Sequence, residues 1–146
     1  MEAHFMANYY AFIRTNYFSV TDETKFREII ASCQCEDSIE IFEPEGDSRK
    51  FGFGCYGSIY GIPPANTEDS ELDEDINLFF EQLQTILPEG EAILFTEIGY
   101  EKLRYLVGYT SIITKDTIDG VDLRNAAFKK AGEMLGVENY TTEDQY

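Results

Sequence analysis

From Lys50 to Gly57 the chain reads Lys-Phe-Gly-Phe-Gly-Cys-Tyr-Gly, with large side chains and glycines taking turns. Side chains in a strand point to opposite faces in alternation. A strand here therefore puts Phe51, Phe53 and Cys55 on one face and leaves the other almost bare. Such a strand belongs in a sheet whose apolar face lies on a core and whose bare face admits another element or an aromatic ring at close range. The same letters spell G-x-G-x-x-G over Gly52–Gly57. A dinucleotide site needs a helix opening directly behind those glycines, so that its amides meet the pyrophosphate. Ser58-Ile59-Tyr60-Gly61-Ile62-Pro63-Pro64 cannot open a helix, which sets nucleotide binding aside.

The other elements follow from periodicity. Ala7–Phe18 is rich in Tyr, Phe and Ile without Gly or Pro and reads as one long strand. Thr21 or Asp22 then caps a helix in which Phe26, Ile29, Ile30 and Cys33 form a single apolar stripe. Ser38–Glu43 alternates, with Ile39 and Ile41 inward and Glu40 outward, and pairs with Lys50–Tyr56 as a hairpin through the turn at Pro44–Asp47. Residues 57–71 read as a loop whose start, Ile59–Ile62, can extend a strand. Leu72, Ile76, Phe79, Phe80, Leu83 and Leu87 mark a second helix, with Asp73, Glu74 and Asp75 in its first turn and Pro88 at its end. Glu91–Ile98 and Leu103–Thr114 read as a hairpin across Gly99–Lys102. A last helix over Val121–Leu135 places Leu123, Ala127, Met134 and Leu135 inward. The order β-α-β-β-α-β-β-α predicts an α+β fold: a two-layer sandwich, mainly antiparallel sheet with helices on one face. Its βαββαβ part has the order of a ferredoxin-like core, a topological likeness with no functional content.

A length of 146 residues suits one domain, with residues 1–5 as an extension, Met6 as an alternative start, and 137–146 as an acidic tail. No apolar run approaches the roughly 20 residues of a membrane span, and the N-terminus lacks the pattern of a signal peptide. The expectation is a cytoplasmic protein. Three cysteines, Cys33, Cys35 and Cys55, are too few and odd in number for a disulfide framework. With His4 they offer four soft ligands, but the spacing fits no zinc module, and they read as free thiols. His4 is the only histidine and lies in the extension, so no Ser/His/Asp or Cys/His catalytic set is expected. No cofactor or metal is expected either.

Charge is the strongest functional signal. Twenty-eight acidic against 11 basic residues give a formal charge of −17, far beyond the magnitude of about 2–8 that solubility of a small domain needs. Direct binding to a nucleic-acid backbone is excluded, because phosphates require a basic surface. The acids are also clustered. Glu68, Asp69, Glu71, Asp73, Glu74 and Asp75 place six in eight positions, and Glu36, Asp37, Glu40, Glu43, Glu45 and Asp47 another six in twelve. No cluster fits an EF-hand. One reading is a solvated face. The sharper one is an array of carboxylates that imitates a nucleic-acid backbone and is drawn to Lys/Arg-lined channels. Tyr9, Tyr10, Tyr56, Tyr60, Tyr100 and Tyr109 would be its interface anchors where exposed.

Met6–Phe18 (MANYYAFIRTNYF), Phe51–Gly57 (FGFGCYG) and Glu97–Tyr109 (EIGYEKLRYLVGY) resemble segments of small acidic proteins carried by phages and conjugative elements of Gram-positive bacteria. The resemblance implies an accessory function of mobile DNA. Compact acidic proteins in that neighbourhood include anti-CRISPR and antirestriction proteins, many of which occupy nucleic-acid-binding surfaces of host nucleases. No functional residue carries over from it. The expected function is therefore a non-enzymatic inhibitor that binds the basic channel of a defence nuclease through Glu68, Asp69, Glu71, Asp73, Glu74 and Asp75, with Glu40, Glu43 and Glu45 as a second patch. The alternative is a small-molecule or enzymatic site on the glycine-bare face near Gly52, Gly54 and Tyr56. A third is an acidic scaffold or a homodimer that pairs through its sheet.

Overall fold

A computed structural model describes residues 9–46, 49–64 and 74–142. The readings of residues 1–5, of His4, of Leu72, and of Glu68, Asp69, Glu71 and Asp73 lie outside the described residues. Among those described, the fold is α+β, with a mostly antiparallel sheet and three helices. The elements are β1 (Tyr9–Arg14), β2 (Phe18–Ser19), α1 (Glu23–Ser32), β3 (Gln34–Cys35), β4 (Ile39–Phe42), β5 (Lys50–Tyr56), β6 (Ile59–Gly61), α2 (Ile76–Gln84), β7 (Ala92–Glu101), β8 (Tyr105–Thr114), β9 (Ile118–Asp122) and α3 (Leu123–Leu135). The main sheet runs β2-β5-β1-β7-β8-β9, with β4 also pairing β5. A two-stranded ribbon joins β3 to β6.

The long first strand is in fact broken. β1 pairs β5 as Phe12↔Tyr56, whereas β2 pairs it as Phe18↔Phe51, a slip of one residue. Thr15 fills the break. Its amide donates to Phe53 O at 2.9 Å and its hydroxyl accepts from Phe53 N at 3.0 Å, so this buried polar residue is satisfied. Next to it the Asn16 carboxamide reaches across to β7, accepting from Leu94 N at 2.7 Å and donating to Ala92 O at 3.0 Å.

The core lies on one face of the sheet. Ile13, Phe53, Cys55, Ile93, Phe95 and Ile113 meet Phe26, Ile29 and Ile30 of α1 and Phe79, Phe80 and Leu83 of α2. Phe53 is its centre, with its ring centroid within 6.4 Å of those of Phe18, Phe26, Phe79 and Phe95. Asp22 caps α1, accepting from Lys25 N at 3.0 Å. Asp75 caps α2, accepting from Asn77 N at 2.8 Å, so this helix opens at Ile76 and Glu74 precedes it. Gly61, at φ +114°, lies against the Asp75 backbone, where a bridge joins Ile62 to Asp75.

Several expectations about the C-terminal half need correction. Val121 and Asp122 are strand, not helix: β9 pairs β8 as Thr110↔Val121 and Tyr109↔Asp122. The hairpin before β9 is closed by side chains, Thr114 and Thr117 hydroxyls at 2.6 Å, and not by Gly or Pro. α3 then does not turn its apolar residues into the core. Leu123, Ala127, Met134 and Leu135 are exposed, and its one buried residue is Gly132, beneath Val137 O and Tyr140. Leu123 sits over Gly108 on the sheet face opposite the core, so the helices do not all share one face. The β7–β8 hairpin is longer than its sequence suggested. Gly99 is inside β7, and the turn falls at Lys102–Arg104, because Gly99 is where the Tyr9 ring packs.

Candidate functional site

The acids named from sequence go to separate places. Glu40 stands on the outer sheet face, in register with Gly54 and Arg14. Glu43, at the far end of β4, is paired with Arg27 at 3.0 Å, and Arg27 also holds Glu23. Glu45 is exposed in the following turn. Asp75 is committed to capping α2. Glu74 is exposed, next to the Asp75 that bridges Ile62 just past β6. Glu36 accepts from Ser58 N at 3.1 Å, and its own amide donates to Ser58 O at 2.8 Å. Tyr60 stands in the middle of β6. Its phenol is held above its ordinary value by partial desolvation first, then by the negative field of Glu36 and, more weakly, of Glu74. A shallow groove of about 520 Å³ runs from Tyr60 and Glu74 over Phe80 and Phe95 to Glu97 and Ser111. Glu97 accepts from the Tyr9 hydroxyl at 2.7 Å, which with burial keeps that phenol protonated.

The outer sheet face is the feature that sequence reasoning located only in part. Three rows cross it: Tyr10–Tyr100–Leu106, Tyr56–Phe12–Ile98–Gly108, and Glu40–Gly54–Arg14–Thr96–Thr110. Tyr10, Phe12, Tyr56, Ile98, Tyr100 and Leu106 are each between 44% and 74% exposed. The glycines do what their pattern required. A Cβ on Gly54 would come within 2.7 Å of Ile13 O and 3.2 Å of the Phe42 ring, and one on Gly52 would meet Tyr17. The result is a groove of about 510 Å³ with Gly54 and Cys55 as floor and Phe12, Arg14, Glu40, Phe42 and Tyr56 as walls. The Arg14 guanidinium lies 4.4 Å from the Phe42 ring centre and donates to Tyr17 Oη at 3.2 Å. Tyrosines signal such a face only when strand parity is known: Tyr10 and Phe12 share parity, whereas Tyr9 turns to the other side.

The three cysteines are free thiols. Cys33 and Cys55 are buried, and burial pushes them up to about 12 and about 11 respectively, so neither is a ready nucleophile. Among the described residues no group of three His, Cys, Asp or Glu side chains is placed to hold a metal ion, and no helix is long and apolar enough to cross a membrane.

Neither the protein-family models, nor the curated proteins, nor the solved structures contain a match to this chain.

Proposed function

We propose that the protein is a non-enzymatic inhibitor of a mobile genetic element, acting in the bacterial cytoplasm. It binds the basic nucleic-acid channel of a defence nuclease, a CRISPR effector above all, and blocks target loading. The observation that carries this reading is that Glu36, bonded to Ser58 ahead of β6, and Glu74, next to the Asp75 that bridges Ile62 behind it, flank the same short strand. Glu36 belongs to one acidic run of the sequence, and Glu74 lies in the densest one. Carboxylates at such an edge replace phosphates as partners for Lys and Arg, and the surplus of −17 speeds encounter with a cationic channel. The β1-α1-β4-β5-α2-β7 part is read as a ferredoxin-like unit in a two-layer arrangement, extended by β8 and β9. The pairing of β1 with both β5 and β7 supports it.

The test is target cleavage by guide-loaded CRISPR effectors of Gram-positive bacteria, with and without the protein. Inhibition should be lost by at least about 100-fold in a variant carrying Glu36→Lys, Glu68→Lys, Glu71→Lys and Glu74→Lys, since disrupted interfacial charge pairs cost a few kcal/mol together. Asp75 is kept, because it caps α2. Full inhibition by this variant would place the mechanism elsewhere. Binding should also weaken between about 0.05 and 0.5 M salt, as the Debye length falls from roughly 14 to 4 Å.

The groove over Gly54 favours a second reading, a small-ligand site on the glycine-rich face. Its aromatic walls and Arg14 suit a planar anionic molecule. Chemical-shift changes confined to Phe12, Arg14, Phe42 and Tyr56 on titrating aromatic carboxylates would support it, and a flat titration would remove it.

A further inference from the structure

We infer that the outer sheet face is a self-association surface, and that its occupant is a second copy of this chain. This goes beyond the charge-driven reading and does not depend on it. Six large side chains stand exposed there on adjacent strands, Tyr10, Phe12, Tyr56, Ile98, Tyr100 and Leu106. At the roughly 200 Å² that a large side chain can bury, their exposed fractions amount to about 700 Å², close to the roughly 800 Å² per partner of a standard interface. Monomers rarely leave so large a contiguous apolar patch on water.

The charge on this face decides against a cationic partner. Across the three rows only Arg14 and Glu40 are charged, and they are of opposite sign, while the whole chain carries −17. A basic protein would find nothing to neutralise here. A neutral apolar surface identical to this one would bury it at no electrostatic cost on the patch itself.

The strand register allows a symmetric pairing. A twofold axis along the seam between β1 and β7 exchanges those strands, and with them β5 and β8. In that arrangement Phe12 of one copy lies on Ile98 of the other, and Tyr10 on Tyr100. Tyr56, 74% exposed, then faces Leu123, which stands 64% exposed above Gly108. Such an axis sets the patch against its own copy, as an isologous interface requires.

The experiment is sedimentation or light scattering of the full chain across about 1–200 μM, at about 0.05 and 0.5 M salt. The expected result is a species of twice the 16.7 kDa chain mass. It should tighten at the higher salt, because two bodies of like charge repel less when screened. Phe12→Asp and Ile98→Asp should each weaken the dimer by at least about 30-fold while leaving far-UV circular dichroism unchanged. Leu103→Asp, in the β7–β8 turn, should leave the dimer intact. A monomer throughout the range overturns the inference, as does a dimer that survives both face variants or dissociates on adding salt. A monomer that binds a cationic protein through this same face also overturns it. The nuclease-cleavage assay reads the other edge, so either idea can fail alone.

Discussion

Replacing Phe53 by alanine is expected to remove about 3–5 kcal/mol of folding stability. The ring is fully buried and stands between Phe18 and Phe26 on one side and Phe79 and Phe95 on the other. It thus joins β2, both core helices and β7. A truncation there leaves a cavity whose walls belong to four separate elements, so no single side chain can swing in to fill it. Since a domain of this size has only about 5–15 kcal/mol in total, the variant should unfold at a far lower urea concentration, followed by circular dichroism. Leu103→Ala, at a position 99% exposed, should shift the curve by less than about 0.5 kcal/mol. A loss below about 1 kcal/mol for Phe53→Ala would mean that the core is not organised around this ring.

Gly61→Ala should be comparably severe, at about 2–6 kcal/mol, for a backbone reason. Its φ of +114° lies where side chains are rarely tolerated, which costs about 1–3 kcal/mol. A methyl there would also run into the carbonyl carbon and oxygen of Asp75 and the amide of Ile76, and overpacking adds about 1–3 kcal/mol. The clash falls at the α2 cap, so the variant must move the cap, the Ile62–Asp75 bridge, or both. Gly46→Ala separates the two causes. Gly46 has φ +91° but nothing within 4 Å of its Cβ position, so it should lose only the conformational part, about 1–3 kcal/mol. Equal losses at Gly46 and Gly61 would show that crowding at Asp75 contributes nothing.

How much of this was legible depended on whether a local signal survived tertiary contact. The Phe51–Tyr56 alternation, the α1 stripe and the α2 stripe were readable because each places one apolar face on one core. The break in the first strand was not, since the slip at Thr15–Tyr17 serves hydrogen bonds to Phe53 and Leu94, residues distant in sequence. β9 was missed because Thr114 and Thr117 close its hairpin by their hydroxyls, a turn without the usual Gly or Pro mark. α3 misled for the opposite reason: its apolar residues follow helical spacing, yet they face water and the outer side of the sheet. As for the candidate site, composition foretold an acidic protein and the glycine pattern foretold a bare groove. Where each acid goes, Glu36 onto Ser58 beside β6 and Glu43 onto Arg27, depends on tertiary pairing that no local window contains.

The carboxamide of Asn16 has a wider consequence. It presents one acceptor and one donor to β7 in the spacing of a peptide unit, at the point where the main chain gives up its pairing with that strand and keeps β5 alone. A side chain thus stands in for a missing rung. The segment Ala92–Leu94 keeps no raw margin to which a foreign strand could attach, and the chain releases β7 there without opening a route to fibrous assembly.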